Sequence, residues 1–145
     1  MLTTRPATDS DLLFLEDVFL RAMRVHITAT RGSWDEAKER QQFHQQLQLE
    51  HTCVIEHGGV SVGFFMALER GQYVELHTLC IAPEHQGRSM GTTVIRQMLS
   101  DAQKHRREVR LSVLKSNTAA RSLYERLGFV VTGETEHHYQ MRLVS

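Results

Sequence analysis

The chain has 145 residues, 41% of them hydrophobic, and its 17 basic residues are balanced by 17 acidic ones. That length predicts one domain, 1–145, with an adequate core, and the charge balance speaks against a nucleic-acid or membrane-surface role, each of which calls for a basic excess. No apolar run approaches a membrane span and no signal-peptide pattern opens the chain, so the expected compartment is the cytoplasm. Cys53 and Cys80 each fall inside a strand-like run and are expected as reduced core thiols rather than a disulfide. The nine histidines are scattered without a recognised ligand spacing, so no metal is expected.

In chain order, Leu2–Arg5 is a short extended start ended by Pro6. Thr8-Asp9-Ser10-Asp11 resembles a capping box with Asp11 in the usual Glu position, and Leu12, Leu15, Val18, Phe19, Ala22 and Met23 follow at helical spacing. After Arg31-Gly32, a second box at Ser33-Trp34-Asp35-Glu36 predicts a polar surface helix towards Leu49, anchored by Ala37, Phe43 and Leu47. From Thr52 the period becomes that of strands. Thr52–Glu56 and Val60–Leu68 flank a His57-Gly58-Gly59 turn, and Gly71-Gln72 turns the chain into Tyr73–Ala82, which Pro83 ends because proline cannot donate to a ladder.

Helical spacing returns at Met90, Val94, Ile95, Met98, Leu99 and Ala102. Lys104, Arg106 and Arg107 suit the negative end of that helix dipole. Val109, Leu111 and Val113 alternate as a strand. Ala120, Leu123, Tyr124 and Leu127 mark a short helix closed by Gly128. Phe129–Thr132 and Tyr139–Leu143 finish the chain as two strands around a turn near Gly133-Glu134. The order β-α-α-β-β-β-α-β-α-β-β predicts an α/β fold, a mixed, mainly antiparallel sheet flanked by helices.

The stretch Pro83-Glu84-His85-Gln86-Gly87-Arg88-Ser89-Met90-Gly91-Thr92 lies between a strand and a helix. A helix opened in this way offers unpaired N–H groups and the positive end of its dipole to an anion. No lysine follows Gly91, as a nucleotide P-loop requires, and where a dinucleotide loop needs Gly-x-Gly-x-x-Gly only Gly87 and Gly91 are present.

The stretch from Glu75 to Phe129 resembles the GNAT superfamily of N-acetyltransferases, which bind acetyl-CoA. Gln86-Gly87-Arg88-Ser89-Met90-Gly91 is similar to its pyrophosphate loop, Gln/Arg-x-x-Gly-x-Gly/Ala. Asn117, Ala120, Tyr124, Gly128 and Phe129 meet its second signature, Asn-x-x-Ala-x-x-x-Tyr-x-x-x-Gly-Phe. The resemblance implies an acyl-CoA N-acyltransferase fold, acetyl-CoA as co-substrate, and pyrophosphate held by Gln86 to Thr92. Ser89 departs from the family's usual glycine. If it needs φ > 0, serine costs on the order of 1 kcal/mol; if it is already helical, its hydroxyl caps the helix or touches phosphate. The second case is the expectation.

The resemblance further implies that pantetheine lies along Leu79, Cys80 and Ile81, whose backbone polarises the thioester carbonyl. It makes Tyr124 the acid that protonates the departing thiolate. Glu75, placed like the general base of the histone-type members, or His77 two residues on, is the candidate base, with Glu75 slightly ahead. The alternative is an amine that arrives already neutral. Asn117 holds pantetheine or caps its helix, with Ala120 beside it in the motif. Arg88 meets a phosphate or is solvated. The family usually builds its acceptor side from the first two helices. Here that brings in Arg24 and His26, with Trp34 as a wall, for an amine that carries a carboxylate.

The leading expectation is transfer of an acetyl group from acetyl-CoA to a primary amine, on a small molecule or a peptide, by direct attack in a ternary complex. A non-catalytic acyl-CoA-binding module is the alternative, and nucleotide binding by the loop is a third. No nucleic-acid or membrane partner is expected. A homodimer is common in the family, although no residue pattern here marks its interface.

Overall fold

The computed structural model describes residues 1–143; residues 144 and 145 of the expected domain lie outside the described part. Seven strands are hydrogen-bonded in the order β1-β2-β3-β4-β5-β7-β6. They are β1 (Leu2–Pro6), β2 (Thr52–His57), β3 (Val60–Glu69), β4 (Tyr73–Ile81), β5 (Glu108–Leu114), β6 (Val130–Glu134) and β7 (His138–Leu143). The helices are α1 (Leu12–Arg31), α2 (Glu36–Gln46), α3 (Met90–Lys104) and α4 (Thr118–Arg126). The β1–β2, β2–β3, β5–β7 and β6–β7 pairs are antiparallel and β4–β5 is parallel. This is the mixed, mainly antiparallel α/β sheet flanked by helices that the element order predicts.

The chain forms two compact units. The first comprises Met1–Met66 with Thr78–Met90, the second Ala67–His77 with the described residues from Gly91 onward.

In the first unit, Leu15, Val18, Phe43, Val54, Phe64, Cys80 and Ala82 form a buried cluster. Phe43 is its centre, with ring centroids 4.8 Å from Phe19 and 6.2 Å from Phe64; full burial of such a side chain stabilises by roughly 1.5–3 kcal/mol. The hairpin between β2 and β3 turns at Gly58 and Gly59, φ 60° and 81°, the two left-handed positions of a type I′ turn. Asp11 accepts the Thr8 N–H at 2.8 Å and both Arg5 terminal nitrogens at 2.9 Å. The predicted box thus also ties the end of β1 to the start of α1.

Two details of the first unit differ from expectation. Asp35, not Ser33, caps α2, accepting the Lys38 N–H at 3.2 Å. It stands directly before the first helical turn, where its carboxylate meets the free N–H groups. The helix stops at Gln46, before Leu47 turns extended. Alongside Phe43, this polar helix is held to α1 by buried carboxylates: Glu16 is bound by Arg40 and His44, and Glu39 by Arg31. Unpaired, those carboxylates would be costly to bury.

The second unit buries Leu76, Val94, Ile95, Val109, Leu111, Val113, Phe129 and Met141. β5 alternates buried and exposed residues as its sequence predicts. The turn expected near Gly133-Glu134 falls later, at 135–137, and β6 runs through Glu134. Gly133 marks a register shift within β6, a bulge rather than the turn. Among the described residues, no helix is long and apolar enough to cross a membrane.

Candidate active site

In the first unit, β4 ends at Ile81 and a 3₁₀ turn at Pro83–His85 leads into the loop. The Gln86 side chain donates from Nε2 to the Ile81 carbonyl at 2.9 Å, fastening the loop back onto the strand end. Gly87 and Ser89 then both adopt the left-handed conformation, φ 79° and 61°, and α3 begins at Met90. Alternating backbone signs of this kind turn successive N–H groups toward one side and make a concave anion cradle. The expectation that Ser89 is already helical is therefore corrected: it is the strained case, with a cost on the order of 1 kcal/mol against glycine. Its Cβ lies in a region that L residues avoid, and the helix dipole starts one residue later. Gln86, Gly87, Arg88 and Ser89 are exposed and Met90 is buried. Gly91 and Thr92, already helical and half-buried, open the second unit's part of α3.

Cys80 is buried, and burial pushes its thiol up to about 12, so it is not a nucleophile at neutral pH. Both cysteines are free. Leu79 and Ile81, half-buried, alternate with it along the strand. Gly63 on β3 lies against this segment: a Cβ there would sit 2.2 Å from the Cys80 carbonyl oxygen. The Ala82 N–H donates to the Val62 carbonyl at 2.8 Å beside it. No sequence motif marked Gly63, whose signal is only an isolated glycine in a strand.

Also in the first unit, the Arg24 guanidinium lies 5.5 Å from the Trp34 ring centroid. Both line a cavity of about 420 Å³ together with Leu20, Arg21, Glu36 and Arg40. Arg21 is paired with Asp17 and Glu84, and Arg40 with Glu16 and Glu36. Arg24 has no carboxylate partner among the described residues. His26 does not line this cavity, because two residues along a helix turn a side chain by about 200°. Burial lowers its pKa.

In the second unit, the parallel ladder pairs Tyr73–Leu76 with Glu108–Leu111, while β4 runs on to Ile81 and β5 to Leu114. His77 is the first β4 residue beyond the last pair and is exposed. Glu75 stands within the paired stretch, opposite Arg110, and accepts from Arg70 Nε at 3.2 Å.

Tyr124 is buried on α4. Asn117 caps this helix, its Oδ1 accepting the Ala120 N–H at 3.2 Å, which is the capping role expected of it. At the other end, Gly128 adopts φ 105° and its N–H donates to Glu125, while the Phe129 N–H donates to Tyr124. This pair of bonds closes the helix in a Schellman motif. Among the described residues, no group of three or more His, Cys, Asp or Glu is placed to hold a metal.

Residues 19–129 match the acetyltransferase (GNAT) family, and the chain belongs to it. It is 37% identical over 84 residues to a 5-NmdU N-acetyltransferase of Pseudomonas phage PaMx11, covering 57% of this chain and 59% of that enzyme. The chain thus spans less than two thirds of that relative's length. A more extensive match, 24% identical and covering 92% of this chain and 82% of the relative, is to an L-methionine sulfoximine/L-methionine sulfone acetyltransferase of Salmonella typhimurium. In fold the chain is similar to the PaiA N-acetyltransferase of Thermoplasma acidophilum, solved with coenzyme A, at a TM-score of 0.83 and 19% identity over 100% of this chain and 99% of that one.

Proposed function

We propose that the chain acts as one N-acetyltransferase domain, moving an acetyl group from acetyl-CoA to a primary amine by direct attack. The observation that carries this reading is the loop from Gln86 to Met90, whose two left-handed residues run into the start of α3. Its backbone N–H groups and the dipole of α3 suit a pyrophosphate.

Bound acetyl-CoA supplies an activated carbonyl carbon, and the rest of the chemistry falls to the chain. Backbone N–H groups of the Leu79–Ile81 segment hold the carbonyl oxygen as negative charge develops on it. The new C–N bond forms as the C–S bond breaks, and the Tyr124 hydroxyl gives its proton to the departing sulfur. His77 takes the proton of the attacking amine through a water. The ion pair of Glu75 with Arg70 supports His77 over Glu75 in this role. The buried, protonated Cys80 thiol argues against a covalent acyl-cysteine route.

On the acceptor side, the carboxylate-free Arg24 beside Trp34 suits an amine that carries a carboxylate.

Thiol release from acetyl-CoA, followed over a panel of amino acids, polyamines, aminoglycosides and N-terminal peptides, tests the reading. The expected result is amine-dependent release, strongest among carboxylate-bearing amines. Acetyl-CoA binding with no release for any amine would overturn the enzymatic reading and leave a binding module.

A further inference from the structure

The strand–helix corner at the C-terminal end of α3 is built around arginines that the acetyl-transfer reading does not use. The Arg106 N–H donates to the Gln103 carbonyl at 3.0 Å and the Arg107 N–H to the Ala102 carbonyl at 2.9 Å. This is again a Schellman closure, with Arg106 in its left-handed position at φ 55°. α4, closed by the same pair of bonds, has glycine there, Gly128 at φ 105°, and α1 also ends on a left-handed glycine, Gly32 at φ 79°. An arginine at that position costs on the order of 1 kcal/mol that glycine would avoid. A residue that stands against its local preference points to a use for its side chain.

Arg106 lines a cavity of about 960 Å³ with His105, Arg107, Glu108, Arg110 and Arg142, all in the second unit. Glu108 is the single carboxylate of that lining, and it meets both Arg110 and Arg142. Arg107 is paired outside the cavity with Glu69 at 3.1 Å. Arg110 is also stacked on Tyr73, 3.9 Å from the ring centroid, which fixes its guanidinium in place. Arg106 has no acidic partner among the described residues. The lining therefore carries a formal excess of three positive charges, in a chain whose net charge is zero.

The dipole of α3 explains one or two cations at its end, but a surplus in a concavity goes beyond it. Guanidinium forks held by stacking and by a shared carboxylate match the paired oxygens of phosphate groups. We propose that this arginine-lined cavity binds a small oligophosphate, either free or as the tail of a nucleotide. It is a second anion site, distinct from the Gln86–Met90 loop. The two sites share no residue: the loop belongs to the first unit and this cavity to the second.

Titration calorimetry with inorganic tripolyphosphate, on protein already saturated with CoA, tests the proposal, with ATP as a parallel arm. Saturable binding is expected, weakened about tenfold or more in Arg106→Gly and in Arg142→Gln and weakened by added salt. Equal affinity for the two probes assigns recognition to the phosphate chain alone; tighter ATP binding assigns part of it to the nucleoside. Arg106→Gly keeps the protein foldable, because it relieves the left-handed strain and should melt higher than the wild type. No saturable tripolyphosphate binding, or binding unchanged in both variants, would overturn the proposal. Failure of CoA to saturate the protein would count against the acetyl-CoA reading alone.

Discussion

The Tyr124 carbonyl accepts the Phe129 N–H at 3.0 Å, and the rings of the two residues lie 5.6 Å apart. One residue thus closes the helix with its backbone and packs the closure with its ring, which is the hydrophobic contact a Schellman motif favours. With Asn117 as cap and Gly128 in the left-handed position, most of the Asn117–Phe129 signature is accounted for by the folding of α4. The phenolic hydroxyl is the part that helix closure does not require. Tyr124→Phe keeps the carbonyl, the ring and the helix. It is expected to lower kcat about 100-fold, to leave acetyl-CoA affinity nearly unchanged, and to cost about 1 kcal/mol in stability at most. Steady-state kinetics beside a binding isotherm check it, and an unchanged kcat would remove Tyr124 from the chemistry.

Ser89 at φ 61° carries strain that glycine would not. Ser89→Gly is expected to raise stability by about 0.5–1 kcal/mol, since relief of the left-handed cost outweighs the added freedom of the unfolded chain. CoA binding should be retained, because the cradle is made of backbone. Thermal melts with and without CoA decide it. A lower melting temperature would mean that the serine hydroxyl contributes more than the strain costs.

Gly63 is required by close approach rather than by φ, since its Cβ would fall 2.2 Å from the Cys80 oxygen and 3.0 Å from Ile81 Cα. The obstacle is backbone, which cannot step aside as a side chain can. Gly63→Ala is expected to destabilise by about 2 kcal/mol and, where the protein still folds, to lower kcat by displacing the Leu79–Ile81 backbone. Chemical denaturation checks the first effect and kinetics the second. A fully stable and active variant would contradict both.

Element order was legible because periodicity and punctuation agreed: the alternation of Val109, Leu111 and Val113, the stripe from Met90 to Ala102, and the glycine pair at 58–59 each have one structural solution. Errors fell where two local signals competed. Ser33 and Asp35 both qualify as caps, and only the path of the chain selects Asp35. Gly133 looked like a turn because bulge glycines and turn glycines carry the same mark. Ser89 has no sequence signal for its φ, since serine is at home at a helix start. The buried Glu16 and Glu39 were illegible, because their arginine and histidine partners lie far along the chain or on another face.

Acid stability rests in part on Asp11. The bidentate Arg5 guanidinium, with the Thr8 N–H, holds its carboxyl well below the usual carboxylate range. Because the folded-state pKa is depressed, the stabilisation is present above the unfolded value of about 3.9 and is lost as pH falls below it. Asp11→Asn is expected to cost about 1 kcal/mol at neutral pH and to narrow the gap to wild type between about pH 4 and pH 2. Denaturation midpoints measured across that range check it, and a constant difference at every pH would refute the role of this pair.

The choice of base turns on where the β4–β5 ladder ends. Glu75 lies in the paired stretch with Arg70 on its carboxylate, and His77 is the first residue beyond the last pair, Leu76 with Leu111. If His77 relays the amine's proton, its neutral form is the active one, and kcat should fall towards acid pH. His77→Ala is then expected to lower kcat about tenfold to 100-fold at neutral pH and to abolish that acidic limb. Glu75→Gln should leave the limb in place. The measurement is a pH–rate profile for wild type and both variants with one saturating amine. A limb lost in Glu75→Gln and kept in His77→Ala would reverse the assignment. A limb kept in both would mean that the amine arrives neutral and needs no base from the protein.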